Sequence, residues 1–133
     1  MGIYARVQVA SESYAVPVGQ VVEIRELGQG TYVPGAGPAI LGVRNVRGQV
    51  LPVADLATLL GVHSQARATL MLVAEADGMR VGLAVDQVDD VGEMAEPAEP
   101  ADSRLLVGAT MTGGELVGVI DVPRVLQALR GTQ

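Results

Sequence analysis

Gly42-Val43-Arg44-Asn45-Val46-Arg47-Gly48-Gln49-Val50-Leu51-Pro52-Val53-Ala54-Asp55-Leu56 reads as strand, tight turn, strand and helix start. Val43 to Val46 is rich in β-branched residues. Arg47-Gly48 supplies a turn, and Val50 to Val53 resumes extended structure. Asp55 stands at the N-cap position of a short helix, Leu56 to Leu60, where its carboxylate can accept from free backbone N–H groups. Gly61 stops that helix. Two arginines and an asparagine crowd this otherwise apolar hairpin. A guanidinium is costly to bury unless it is paired, so Arg44 and Arg47 are expected to project toward a partner or toward acidic groups of the chain itself.

Around that stretch lie 133 residues, enough for one compact unit or two very small ones sharing a core. Hydrophobic residues make up 49% of the chain, yet its aromatics are three Tyr, so the interior is expected to be Val, Leu, Ile, Ala and Met. Seventeen Gly and seven Pro favour short strands joined by turns. With no cysteine there is no disulfide framework or thiolate metal site, in keeping with a reducing cytosol. No apolar run approaches the length of a membrane span, so neither membrane insertion nor an export signal is expected. A net charge of −6 speaks against nonspecific nucleic-acid binding.

Taken in order, residues 3–10 alternate as a strand, Ser11 to Ser13 turns it, and Tyr14 to Val18 returns. Val21 to Leu27 is extended, Gly28-Gln29-Gly30 breaks it, and Tyr32 to Pro38 forms an irregular loop. After a polar connector over 62–68, Leu70 to Ala74 is a buried strand and Asp77-Gly78 a hairpin turn. Val81 to Val91 reads as one further strand, and Gly92 to Ser103 as an acidic exposed loop. Leu105 to Met111 and Glu115 to Ile120 pair around Gly113-Gly114, and Asp121 caps a last helix, Val122 to Leu129.

The chain repeats itself, approximately 14–61 against 81–127, within a single domain spanning 1–133. Tyr14 to Ile24 aligns with Val81 to Val91, placing Gln20 on Gln87 and Val21 on Val88. Gly42, Gly48, Val53, Asp55 and Leu60 align with Gly108, Gly114, Val119, Asp121 and Leu126. Two small barrels built on one duplicated plan follow, packed on one another because neither half buries a good core alone. The repeat fails at Arg44, Asn45 and Arg47, opposite Thr110, Met111 and Gly113. Residues demanded by the fold should occur in both copies, so those three are candidates for function.

The central stretch also resembles the signature of the CheW-like domain, the coupling adaptor family of bacterial chemotaxis. The resemblance rests on Gly42-Val43-x-Asn45-Val46-Arg47-Gly48 followed by Val50-Leu51-Pro52-Val53-x-Asp55-Leu56. Tyr14 to Val18 with Val21 to Ile24 is similar to the family's first strand pair, and Val81 to Val88 to a later segment. It covers most of residues 5–128, while the absence of phenylalanine departs from the family. It implies a mainly β fold of two SH3-like five-stranded β-barrels around a shared hydrophobic core, with a short helix after the second hairpin of each half. It further implies a noncatalytic, cytoplasmic adaptor joining a chemoreceptor's cytoplasmic tip to the regulatory domain of a CheA-type histidine kinase. On that view Val21 and Ile24 supply apolar contacts, and Glu23, Asn45, Arg47 and Gly48 fit the family pattern. Arg44 rests on the failure of the repeat alone.

No catalytic constellation, cofactor motif or metal site emerges from the residues. His63 stands alone on a polar connector, without a nucleophile beside it. Asp86, Asp89 and Asp90 lack the spacing of a calcium loop, and Gly28-x-Gly30 and Gly35-x-Gly37 lack the Lys or helix start of a phosphate cradle. Two alternatives stay open. One is a small acidic β-barrel hydrolase using Asp55 and Asp86 as a carboxylate pair, which requires both to face one concave pocket. The other is a CheW-like scaffold for a pilus or gliding pathway.

Overall fold

A computed structural model describes residues 1–28, 37–63, 68–101 and 103–130. The expected loop over 32–38, the glycines of 28–30, the connector over 62–68 and Gly131 fall wholly or partly outside them. Ten strands and two helices follow in order: β1 Gly2–Val9, β2 Glu12–Pro17, a 3-10 turn Val18–Gln20, β3 Val21–Glu26, β4 Ile40–Val46, β5 Gln49–Asp55, α1 Leu56–Leu60, β6 Leu70–Ala76, β7 Met79–Val85, β8 Gln87–Met94, β9 Leu106–Thr112, β10 Glu115–Ile120 and α2 Val122–Arg130.

The strands form two five-stranded sheets. A central sheet, in the order β3-β6-β7-β5-β4, uses one continuous stretch of chain; a terminal sheet, β8-β1-β2-β10-β9, joins the first two strands to the last three. Moving five strands along the chain turns one order into the other. Four antiparallel hairpins close through two-residue turns at Ala10-Ser11, Arg47-Gly48, Asp77-Gly78 and Gly113-Gly114. All eight residues have positive φ, as the twist-matching type I′ hairpin requires. The first hairpin therefore turns at Ala10-Ser11, earlier than the serines at 11 and 13 suggested.

The bulges agree between sheets as well. In β3 the register steps from Val21↔Ala74 to Glu23↔Val73, leaving Val22 extra; in β8 it steps from Arg6↔Asp90 to Val7↔Val88, leaving Asp89 extra. Leu41 and Val107 are extra in the same way in β4 and β9. These four residues fall on one another in the repeat alignment, and each bulge bends its strand.

Both sheets roll up. The two edges of a flat five-stranded sheet would lie about 19 Å apart. Yet in the central sheet the β4–β5 turn reaches edge strand β3, where Arg47 Nε lies 2.9 Å from Glu23 Oε2. In the terminal sheet the chain beyond β8 reaches β9: the Ala98 and Glu99 N–H groups donate to the Ala109 carbonyl, and the Ala109 N–H donates to that of Glu99. Gly108 permits this approach, because a Cβ there would stand 2.9 Å from the Glu99 carbonyl oxygen. The acidic loop expected over 92–103 is thus largely built in: β8 runs on to buried Met94, and Glu96 accepts from the Tyr4 hydroxyl.

Three apolar clusters follow. Val46, Leu51, Val53, Met71 and Val73 fill the central sheet, and Tyr4, Ala15, Met94, Val117 and Val119 the terminal one. The largest lies between them, drawing Val7, Val9 and Val16 from one sheet and Leu72, Val81 and Leu83 from the other, with Leu56, Val122 and Val125 of the helices. Tyr4 and Tyr14 are buried too, an addition to the expected aliphatic interior, each with its hydroxyl donating to a glutamate, Glu96 and Glu12.

Val81 to Val91 is not one strand. The chain leaves the central sheet at Val85 and enters the terminal sheet at Gln87. Asp86 makes the crossing: its N–H donates to the Gln8 carbonyl at 3.0 Å and its carboxylate accepts the Ala10 N–H at 2.8 Å. β7 is buried from Val81 to Val85, whereas β8 is largely exposed as far as buried Met94.

Candidate functional site

The sequence candidates lie on edge strand β3 and on the β4–β5 hairpin of the central sheet. β3 is an edge strand with alternating exposure: Val22, Ile24 and Glu26 stand exposed, while Val21, Glu23 and Arg25 are half-buried. Val21 packs against the large shared cluster. Glu23 accepts a hydrogen bond from Arg47 at 2.9 Å and forms a longer ion pair with Arg25 at 3.5 Å. The Arg47 side chain is 74% exposed against 17% for Glu23, so the guanidinium lies on the surface, held by a carboxylate set into the sheet. Arg47 also takes φ +52, the left-handed region, where the equivalent turn has Gly113.

Asn45 is exposed, and its Oδ1 accepts the Gly48 N–H at 2.9 Å, which fixes the turn that presents Arg47. Val50 is 65% exposed beside it, cross-strand from Asn45, and Leu41 stands exposed at its bulge. Val22, Leu41 and Val50 were not singled out from sequence. Bulges re-aim side chains, and no local pattern marks a bulge.

Arg44 departs from expectation. It does not project from the hairpin; it turns back against Leu27 and Gly28, where a Cβ on Gly28 would lie 3.2 Å from Nη1. That Nη1 is buried with no hydrogen-bond partner among the described residues. Arg44, Asp55, Thr58, His63 and Asp86 line one open cavity of about 540 Å³ at this end of the central sheet.

Asp55 and Asp86 thus share a concavity, as the hydrolase alternative required, but both carboxylates are engaged. Asp86 holds the Ala10 N–H, and Asp55 Oδ2 accepts the Thr58 hydroxyl at 2.7 Å. Asp55 occupies the N-cap position of α1 without capping through its side chain, contrary to expectation, because the nearby hydroxyl takes that oxygen. Asp121 does cap: its Oδ1 accepts the Arg124 N–H at 3.1 Å. Gly61 ends α1 as expected, with Val62 N–H donating to the Ala57 carbonyl and Gly61 N–H to that of Thr58. No group of three or more potential metal ligands occurs among the described residues. No helix among them is long and apolar enough to cross a membrane.

Comparison with known proteins places this geometry. Chemotaxis protein CheW of Rhizobium meliloti is 35% identical over 83 residues, 61% of this chain and 54% of the relative. Chemotaxis protein CheW of Bacillus subtilis is 36% identical over 81 residues, 59% of this chain and 52% of the relative. Protein PilI of Pseudomonas aeruginosa is 35% identical over 77 residues, 56% of this chain and 43% of the relative. The chain therefore spans about half the length of the curated relatives it matches. The crystal structure of the scaffolding protein TtCheW from Thermoanaerobacter tengcongensis shares the fold, with a TM-score of 0.82, 25% identity, and coverage of 90% of this chain and 88% of that one. The CheW-like domain model matches residues 4–130, almost the whole of both sheets, and the chain belongs to that family.

Proposed function

We propose that this chain is a noncatalytic cytoplasmic adaptor that couples a chemoreceptor's cytoplasmic tip to the regulatory domain of a CheA-type histidine kinase. Membership of the CheW-like family supports an adaptor role in chemotaxis, and the surface around β3 supplies matching chemistry. Val22 and Ile24 offer exposed apolar area, and Arg47 is ion-paired to Glu23 of their strand, a combination suited to an amphipathic helix carrying carboxylates. The observation that carries the site assignment is the exposed Arg47 guanidinium held on half-buried Glu23 at 2.9 Å, an arginine at a turn whose equivalent in the other half has Gly113. Val21, Glu23, Asn45 and Gly48 then position the contact residues, and Ile24 and Arg47 touch the partner.

Titration of the purified chain with a receptor-tip peptide hairpin and with a kinase regulatory domain tests the reading. Saturable binding of both, weakened at least tenfold by Arg47→Glu in a folded variant, is the expected result. Failure of both partners to bind the wild type overturns it. The likeness to Protein PilI favours a second reading, the same adaptor chemistry serving a pilus pathway. Exchange of the receptor tip for one from each pathway separates the two, since the fold is common to both and the partner is not.

A further inference from the structure

The cavity beside α1 lies apart from the Arg47 face and has a composition that an adaptor surface does not require. Leu27, Leu41 and Val53 give it apolar walls, Arg44 places a guanidinium on one side, and Asp55 a carboxylate on the helix side. Arg44 Nη1 has no acceptor among the described residues, although a buried N–H of a charged group ordinarily finds one. Thr110 takes the equivalent place in the other half, so the fold does not demand an arginine there. The volume of about 540 Å³ lies within the range of small-molecule sites, about 300–1,000 Å³.

We infer that this cavity binds a small zwitterion with an apolar side chain, of the class of a free aliphatic α-amino acid. The ligand carboxylate pairs with the Arg44 guanidinium, the ammonium faces Asp55, and the aliphatic side chain lies on Leu41 and Val53. The charges select for this class. The Asp55 carboxylate on the same lining opposes a multiply charged anion such as phosphate. A plain amine leaves the guanidinium without an acceptor, and a plain carboxylate leaves Asp55 without a cation. This site does not depend on the adaptor reading.

The test uses the full chain and three matched probes. L-leucine carries both charges, 4-methylpentanoate lacks the ammonium, and isopentylamine lacks the carboxylate. Amide chemical shifts are followed during each titration of the wild type, of Arg44→Met and of Asp55→Asn, and melting curves establish that each variant is folded. Leucine is expected to saturate, with shifts at Leu41, Val53 and Thr58, and to bind at least tenfold more tightly than either truncated probe. Arg44→Met should erase its advantage over isopentylamine, and Asp55→Asn its advantage over 4-methylpentanoate. The proposal is overturned if leucine fails to saturate, if either truncated probe or inorganic phosphate binds the wild type as tightly, or if folded Arg44→Met binds leucine unchanged. Should a variant fail to fold, the three probes on the wild type still decide.

Discussion

Arg47 and Glu23 join opposite margins of one rolled sheet: the arginine belongs to the turn beside β4, the glutamate to β3, and Nε meets Oε2 at 2.9 Å. The pair closes the central sheet and holds a guanidinium toward solvent. Closure and presentation are separable by mutation.

Arg47→Glu places two carboxylates together and should cost about 1 kcal/mol or less, since an exposed pair contributes about 0.2–1 kcal/mol. Arg47→Gly loses the pair but relieves the positive φ, so its stability should stay within about 0.5 kcal/mol of wild type. Both should lose partner affinity by more than tenfold. Exchanging the charges with Glu23→Arg and Arg47→Glu together should recover stability in urea melts without recovering binding. Recovery of binding in the exchanged variant would show that only the closure matters.

Asp121→Ala removes a helix cap and should cost about 1 kcal/mol, with Asp121→Asn retaining most of the stability. Asp55→Ala loses a hydrogen bond to Thr58 rather than a cap. Thr58→Ala should therefore match it, and the double variant should be little worse than either single one. Additive losses in the melts would mean that Asp55 stabilises α1 by some other contact.

Gly108→Ala forces a methyl group toward the Glu99 carbonyl, a backbone atom that cannot rotate aside. A loss of about 1–3 kcal/mol is expected, as for overpacking elsewhere. Gly92→Ala is the control: nothing lies within 4 Å of its Cβ and its φ is unexceptional. Equal melts for the two variants would sink the account of how the terminal sheet closes.

Burial, then the hydrogen bond to a glutamate, raises the phenol pKa of both Tyr4 and Tyr14 above its ordinary value near 10. The neutral form is the one the fold holds. Their stabilisation is therefore complete below about pH 10 and is lost as pH rises through the folded-state values. Stability measured across that alkaline range should fall, and Tyr14→Phe should flatten the fall. Absorbance at alkaline pH should show Tyr4 and Tyr14 ionising late; ordinary ionisation of both would contradict this.

The hairpin at Arg47-Gly48 and the helix after it were legible because turn and stop residues act within a few positions. The break at Asp86 was not, since its carboxylate holds a backbone group of Ala10, far away in the chain. The place of Asp55 before α1 points to a cap, but the Thr58 hydroxyl, three residues on, is a rival partner for its carboxylate. Asn45 was legible as unusual, and its bond to the Gly48 N–H is a local reason for it. The inward turn of Arg44 was hidden, because a strand residue's face depends on bulges that composition does not announce.

The partition of strands also sets an order of arrival during synthesis. Every strand of the central sheet has left the ribosome once Val85 has emerged, so that sheet can assemble from contiguous chain. Within this domain the β1–β2 hairpin is made before the central sheet yet completed after it, since β1 awaits β8 and β2 awaits β10. Meanwhile Ala5, Val7, Val9 and Val16 lack part of their final cover, and two strand margins stand open to any other chain. The earliest strands of this domain thus depend on its latest, and the interval between them is when misassociation is easiest.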